Sequence, residues 1–297
     1  MKKVLLFALA LLTAACEKPI LDIEDSSMVS GSAADANVIL RISQFELQPF
    51  SVGGGSATRA ATDITDFCTR LNIALFQDGT KVKTIAQKED DASFGTVALT
   101  LAAGTYQLVV IAHSGEGSAT ITSEEKVTFP NNKVTDTFYY YGDLEVTGEQ
   151  QVHDLALTRA VAMFQLVLTD EEIPQNVAKM KFYYTGGSST FSPAEGYGCV
   201  ASKQTEIRTV ADGVKTFDIY TMPHSEKDEL TKLTVTALDA GDNVVKEQII
   251  ENIPVTRNQI TRCNSSFFGN GSDSKSAAIT FHMTANPDWD GVNDFDF

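Results

Sequence analysis

The chain has 297 residues, of which 43% are hydrophobic and 21% charged, and 39 acidic against 23 basic residues give a formal net charge of −16. That length supplies real cores without disulfide stapling and corresponds to about two domains. The charge repels a phosphate backbone and argues against nucleic acid as a partner, and the apolar fraction excludes wholesale disorder.

The first residues read as an address. Lys2 and Lys3 precede an apolar run, Val4 to Ala15. That run is too short to span a bilayer as a helix, which takes about 20 residues. The small residues Thr13-Ala14-Ala15 then meet Cys16. The order basic, apolar, small, Cys resembles a lipoprotein signal, in which residues 1–15 are removed and Cys16 is lipidated. The alternative is an ordinary secretory signal with an incidental cysteine. Acyl chains, not charge, would hold so acidic a protein to a membrane.

Residues 16–37 are polar, acidic and rich in small side chains, as a flexible tether would be. Val38 to Ile42 begins a strand, and Pro49 ends that stretch. Ser51 to Ala61 is a Gly/Ser/Ala/Thr linker around a single Arg59. Leu71 to Phe76, the turn Asp78-Gly79 and Val82 to Ile85 predict a hairpin. Phe94 to Leu101 alternates, with Val97, Leu99 and Leu101 on one side. Tyr106 to His113, Val134 to Tyr141, a break at Gly142-Asp143, Leu144 to Val146 and Val152 to Leu157 complete a first set.

Val161 to Leu168, Lys179 to Tyr184, Thr216 to Tyr220, Leu233 to Leu238, Val244 to Ile249 and Ala278 to His282 form a second set. Pro174 to Lys179 is the one helical turn expected. Strands recurring about every ten residues, with turn chemistry between them and no long amphipathic helix, predict an all-β fold of β-sandwiches. The domain break falls at Thr158 to Ala160, giving an N-terminal sandwich over 38–158 and a C-terminal one over 159–297.

Constellations for chemistry are missing. His113, His153, His224 and His282 form no paired metal motif. Ser123-Glu124-Glu125-Lys126 is a bare Ser-x-x-Lys without its companion motifs. Gly53-Gly54-Gly55 and Gly186-Gly187 lack the Lys and helix of a phosphate cradle. No catalytic residue, cofactor or metal is expected, and the chain reads as a non-enzyme. Asp288 to Asp296 clusters acidic oxygens as a calcium loop would, but lacks the bidentate Glu. It reads instead as an exposed acidic tail anchored by Trp289, the only Trp. Cys68, Cys199 and Cys263 read as buried free thiols, with a Cys199–Cys263 bond as the alternative in an exported chain.

Several blocks in this order resemble the fimbrillin family of Bacteroidales-type surface lipoproteins, in particular its pilus-anchor branch. They are Leu71 to Gly79, Gly104 to Ser114, Leu157 to Phe164, Ile253 to Thr261 and Phe267 to Gly269. The resemblance implies two tandem transthyretin-like β-sandwich domains and a non-catalytic role in a surface pilus. Its partners would be other fimbrial subunits, outer-membrane lipid through acylated Cys16, and a host or bacterial surface ligand. In polymerising members a leading strand is cut off after an Arg and replaced by a strand from a neighbour. Here Val38 to Phe50 would be that strand and Arg59-Ala60 the cut. Arg41 and Arg70 are poorer candidates, each inside or beside a predicted strand. Anchor-type members keep leader and lipid. The rival reading is a surface glycan-binding lipoprotein of a nutrient-uptake system, for which Trp289 and Tyr139-Tyr140-Tyr141 would supply sugar-stacking rings.

Overall fold

The structure, a computed structural model, describes residues 36–45 and 63–269, and the backbone alone of 282–286 and 289–296. The signal, Cys16, nearly all of the tether and the linker with Arg59 and Ala60 lie outside the described residues.

The first nine strands are β1 (Val38–Phe45), β2 (Arg70–Gln77), β3 (Thr80–Lys88), β4 (Thr96–Leu99), β5 (Gly104–His113), β6 (Thr120–Ser123), β7 (Lys126–Thr128), β8 (Thr137–Val146) and β9 (Gln151–Arg159). Seven of them form one sheet in the order β3-β2-β5-β8-β9-β1-β4. It folds at the β8–β9 corner, where only Phe138↔Arg159 and Tyr139↔Thr158 pair. The two layers close over Val38, Leu40, Phe45, Leu71, Ile73, Leu75, Leu108 and Val110. Asp78 and Gly79 both take positive φ, 50° and 72°, which suits the two-residue turn that joins β2 to β3.

The second set is β10 (Ala162–Leu168), β11 (Lys179–Ser188), β12 (Thr190–Ser192), β13 (Tyr197–Gly198), β14 (Ala201–Thr209), β15 (Thr216–Thr221), β16 (Asp228–Leu238), β17 (Val244–Val255), β18 (Gln259–Ser265), β19 (His282–Asn286) and β20 (Trp289–Asp296). One layer runs β14-β11-β16-β17 and the other β15-β10-β18-β20-β19. Phe164, Leu166, Phe182, Tyr184, Val235 and Cys263 are buried between them.

Both sandwiches follow one seven-strand plan. β3-β2-β5-β8 corresponds to β14-β11-β16-β17, and β9-β1-β4 to β18-β10-β15. The sense also repeats. β1 is parallel to β9 and antiparallel to β4, as β10 is to β18 and β15. Two insertions break the plan. Residues 114–136 carry β6 and β7 where β16 and β17 are joined by a tight turn at Asp239–Asn243. Residues 189–200 carry β12 and β13 where β2 and β3 are joined by Asp78-Gly79. These two insertions meet. β7 pairs with β12 through Val127↔Phe191 and Thr128↔Thr190, making a four-stranded sheet, β13-β12-β7-β6, from both parts of the chain.

Several local expectations change. Pro174 to Lys179 is not helical. Val177 N–H donates to Pro174 O at 2.9 Å, and Ala178 N–H is at once drawn to Leu238 O. A single 3₁₀ turn occurs instead at Ile64–Asp66, and Pro130–Asn132 is a tight turn with Asn131 and Asn132 at positive φ. Gly142-Asp143 does not break β8, because Leu108 and Gln107 pair with them and Gln107 Nε2 donates to Asp143 Oδ1 at 2.6 Å. The acidic C-terminus is not a loop or a tail: 289–296 runs as β20, parallel to β18.

Candidate functional site

β1 is the middle strand of β9-β1-β4, so both its edges are hydrogen-bonded. Val38, Leu40 and Phe45 are buried in the core, while Arg41 and Gln44 face solvent. The β9 register runs from Val38↔Gln151 to Phe45↔Leu157, with a bulge between Ile42 and Gln44. The β4 register runs from Val38↔Leu99 to Arg41↔Thr96, and Ile42 N–H adds a bond to Gly95 O at 2.9 Å. Asn37 latches the leading end. Its N–H donates to Leu99 O at 3.0 Å and its carbonyl accepts from Gln151 N–H at 2.8 Å. Its side chain donates to Leu101 O at 2.8 Å and accepts from Leu101 N–H at 2.9 Å. At the other end Phe45 stacks on Phe67 at 4.8 Å and meets Phe138 edge-on at 4.9 Å.

A strand in this position supplies two rows of backbone partners and three core side chains. Removing it would bare the edges of β9 and β4 and open an apolar groove, the geometry that a donated strand fills. β10 holds the equivalent place in the second sandwich, but Ala160 and Val161, both fully buried, stitch it directly to β9. The outer edges are closed in parallel ways. Gln87 on β3 reaches across to Thr96 O on β4 at 2.9 Å, and Arg208 on β14 reaches to Asp218 O on β15 at 3.0 Å.

The junction between the sandwiches has its own core of Phe76, Val109, Ile111, Val127, Phe129, Val161, Met163, Phe191, Met222 and Ile260. Tyr139 and Tyr141 belong to it. Tyr139 OH accepts from Arg257 at 2.9 Å, and its ring meets Phe191 at 4.7 Å. Tyr141 OH donates to Glu124 at 2.9 Å. Tyr140 packs against the first sandwich's core instead. Two rings of the Tyr139-Tyr140-Tyr141 run are thus engaged between the sandwiches and the third within one.

Arg159, 3% exposed, is the junction's buried charge. Its guanidinium makes a two-pronged ion pair with Asp136 at 2.8 and 2.9 Å, donates to Asn258 Oδ1 at 2.9 Å and lies 4.7 Å from the Phe138 ring centre. Nothing in the composition of 136–159 flags this pairing, since the partners are 23 residues apart and meet only at the β8–β9 corner.

The other residues singled out by sequence have structural settings. Ser123 and Lys126 flank the β6–β7 turn. Gly186 and Gly187 lie in a β11 bulge pressed against β16 and Thr221. His224 pairs with Asp228 at 2.9 Å in a turn. Among the described residues no cluster of three or more His, Cys, Asp or Glu has metal-holding geometry, and no helix is long and apolar enough to cross a membrane.

His113, at the end of β5, is 1% exposed. Its Nδ1 accepts from Gly115 N–H at 3.0 Å and its Nε2 lies 3.2 Å from Asn72 Oδ1. The neutral ring with its proton on Nε2 satisfies both contacts. Burial, then the neighbouring Arg70, lowers its pKa to about 4. The unfolded chain takes up the proton near the ordinary value of 6.5, so acid favours unfolding between pH 6.5 and 4. The stabilisation, complete above pH 6.5, is lost as pH falls towards 4, by about 3 kcal/mol in full. Urea midpoints at pH 7 and pH 4.5 measure it, and His113→Gln should flatten that interval relative to the parent.

The expectation of three buried cysteines is corrected at one position. Cys68 and Cys263 are buried, Cys199 is exposed, and Cys199 and Cys263 do not pair with each other. Burial also pushes the Cys68 thiol up to about 12. One rapid reaction with an aromatic disulfide reagent is expected in the native Cys16→Ser chain and none in Cys16→Ser/Cys199→Ser. Two fast thiols would contradict the buried sites.

The family model for the fimbrillin-A associated anchor proteins Mfa1 and Mfa2 matches residues 50–295. The chain belongs to this family. No curated protein matches the sequence. Solved structures similar to this anchor-family protein include a candidate adhesin from Bacteroides ovatus, with a TM-score of 0.48 and 13% identity over 72% of this chain and 75% of that one. A candidate polysaccharide-binding protein from Bacteroides thetaiotaomicron has a TM-score of 0.46 and 10% identity over 71% and 79%. The fimbrial anchor protein Mfa2 from Porphyromonas gingivalis has a TM-score of 0.37 and 13% identity over 71% and 80%.

Proposed function

We propose that this anchor-family protein is a non-catalytic component of a cell-surface fimbrium, held to the outer membrane through acylated Cys16. It has two domains meeting at Thr158 to Ala160, joins other fimbrial subunits by β-strand complementation and supports adhesion. The observation that carries the reading is the seat of β1. This strand completes the first sandwich from its centre, yet chain connects it to β2 only through residues 46–69, which include Arg59-Ala60. An anchor keeps β1 and its lipid, whereas a polymerising subunit cut after Arg59 surrenders β1 to a neighbour's strand.

Intact mass and N-terminal sequencing of protein taken from its native membrane separate these states. A lipidated Cys16 on a full-length mature chain supports the anchor. A free N-terminus at Ala60 supports a subunit matured for strand exchange. An unacylated N-terminus near residue 16 would sink the lipid attachment.

A further inference from the structure

We propose that Arg159 couples the seating of β1 to the junction between the two sandwiches. The coupling goes beyond the assembly reading, since it acts whether or not β1 is ever exchanged. Four contacts form an unbroken route. The Phe45 ring, the last side chain of β1, abuts Phe138 at 4.9 Å. The Phe138 ring, fully buried, lies under the Arg159 guanidinium at 4.7 Å. Arg159 NH1 donates to Asn258 Oδ1 at 2.9 Å. Asn258 belongs to the β17–β18 turn of the second sandwich and donates its own N–H to Val161 O at 2.8 Å. Its φ of 59° lies in the left-handed region, which Asn adopts more readily than other non-glycine residues.

The chemistry makes the route responsive. A guanidinium shielded from water draws more from its carboxylate and from an aromatic face than one that is wet. While Phe45 is seated, Phe138 is covered and Arg159 stays dry between Phe138, Asp136 and Asn258. When Phe45 leaves, one side of Phe138 is bared, water reaches the guanidinium, and its hold on Asn258 weakens. The second sandwich thus registers whether the first has its leading strand. Leu40, also buried on the same strand, pairs with His153 of β9 whereas Phe45 pairs with Leu157, so it sits farther from the Phe138–Arg159 corner and provides the control.

Amide hydrogen exchange on the full mature chain tests this, comparing Phe45→Ala with Leu40→Ala. Both variants should lose protection along β1 and β9. Phe45→Ala alone should speed exchange of the Asn258 amide, by about tenfold beyond any change in global stability. Equal acceleration by Leu40→Ala, or none by Phe45→Ala, would overturn the coupling. In an Arg159→Lys background, which keeps the charge but loses the fork, the Phe45→Ala effect at Asn258 should vanish, and its persistence would reject Arg159 as the link. If that background does not fold, the Phe45 and Leu40 comparison still decides. Neither result depends on strand exchange, which the processing state of the native N-terminus reports separately.

Discussion

Gly186→Ala is expected to destabilise the protein by about 3 kcal/mol or more, combining backbone strain with a steric clash that cannot relax. Gly186 has φ +99°, and a Cβ there would lie 2.5 Å from Thr231 N and 2.7 Å from Glu229 O, both backbone atoms of β16. Neither can move without disturbing β16 where Glu229 and Leu230 pair with Pro254 and Ile253 of β17, just past the end of the β11–β16 ladder. Gly79 is the matched control. It also has positive φ, +72°, but a Cβ there meets nothing within 4 Å. Gly79→Ala should therefore cost only the conformational strain, about 1 kcal/mol. Chemical denaturation of both variants measures the difference. Equal losses would show that torsion alone, not the close approach of β16, sets the requirement for glycine.

The second large effect belongs to Asp136. Asp136→Ala removes both oxygens from a guanidinium that is 3% exposed and should cost about 3–5 kcal/mol, because the remaining charge is buried without its counter-ion. Lys179–Asp242, at a similar 2.7 Å, is the contrast. Asp242 is 65% exposed there, so Asp242→Ala should change stability by less than about 1 kcal/mol. Arg159→Met on top of Asp136→Ala should recover part of the loss, since the uncompensated charge goes with it. A double variant as unstable as the single one would place the defect in packing at the β8–β9 corner.

The sequence made much of the strand inventory legible for a physical reason. Alternation marks strands with one wet face, and β4 follows it with Val97 and Leu99 buried. The unbroken runs of β2 and β5 carry more than strand identity. Ile73 and Leu75 face the first core while Ala74 and Phe76 face the junction, so both sides of the sheet are covered. The junction itself was hard to read. β6, β7, β12 and β13 are two to four residues long, too short for periodicity, and the pairing that joins them, β7 to β12, is remote in sequence. The Gly186-Gly187 pair, which lacks the surroundings of a phosphate cradle, marks where one strand presses against another. Asn37 stands at the end of a polar, tether-like stretch, yet its side chain supplies the same donor and acceptor that a further strand residue would. The Arg59-Ala60 site rests on linker composition and on resemblance, because it falls outside the described residues.

The two insertions that meet as β7 and β12 are each incomplete alone. β7 without β12 would present Val127 and an unpaired backbone edge to water, and β12 without β7 would do the same with Phe191. Loss of either by deletion leaves the other a sticky liability, whereas loss of both restores two short turns of the kind already present at Asp78-Gly79 and Asp239–Asn243. Their inheritance should therefore be linked: descendants of this architecture are expected to carry both insertions or neither, and a lineage caught with one should have covered the bare edge by some other means.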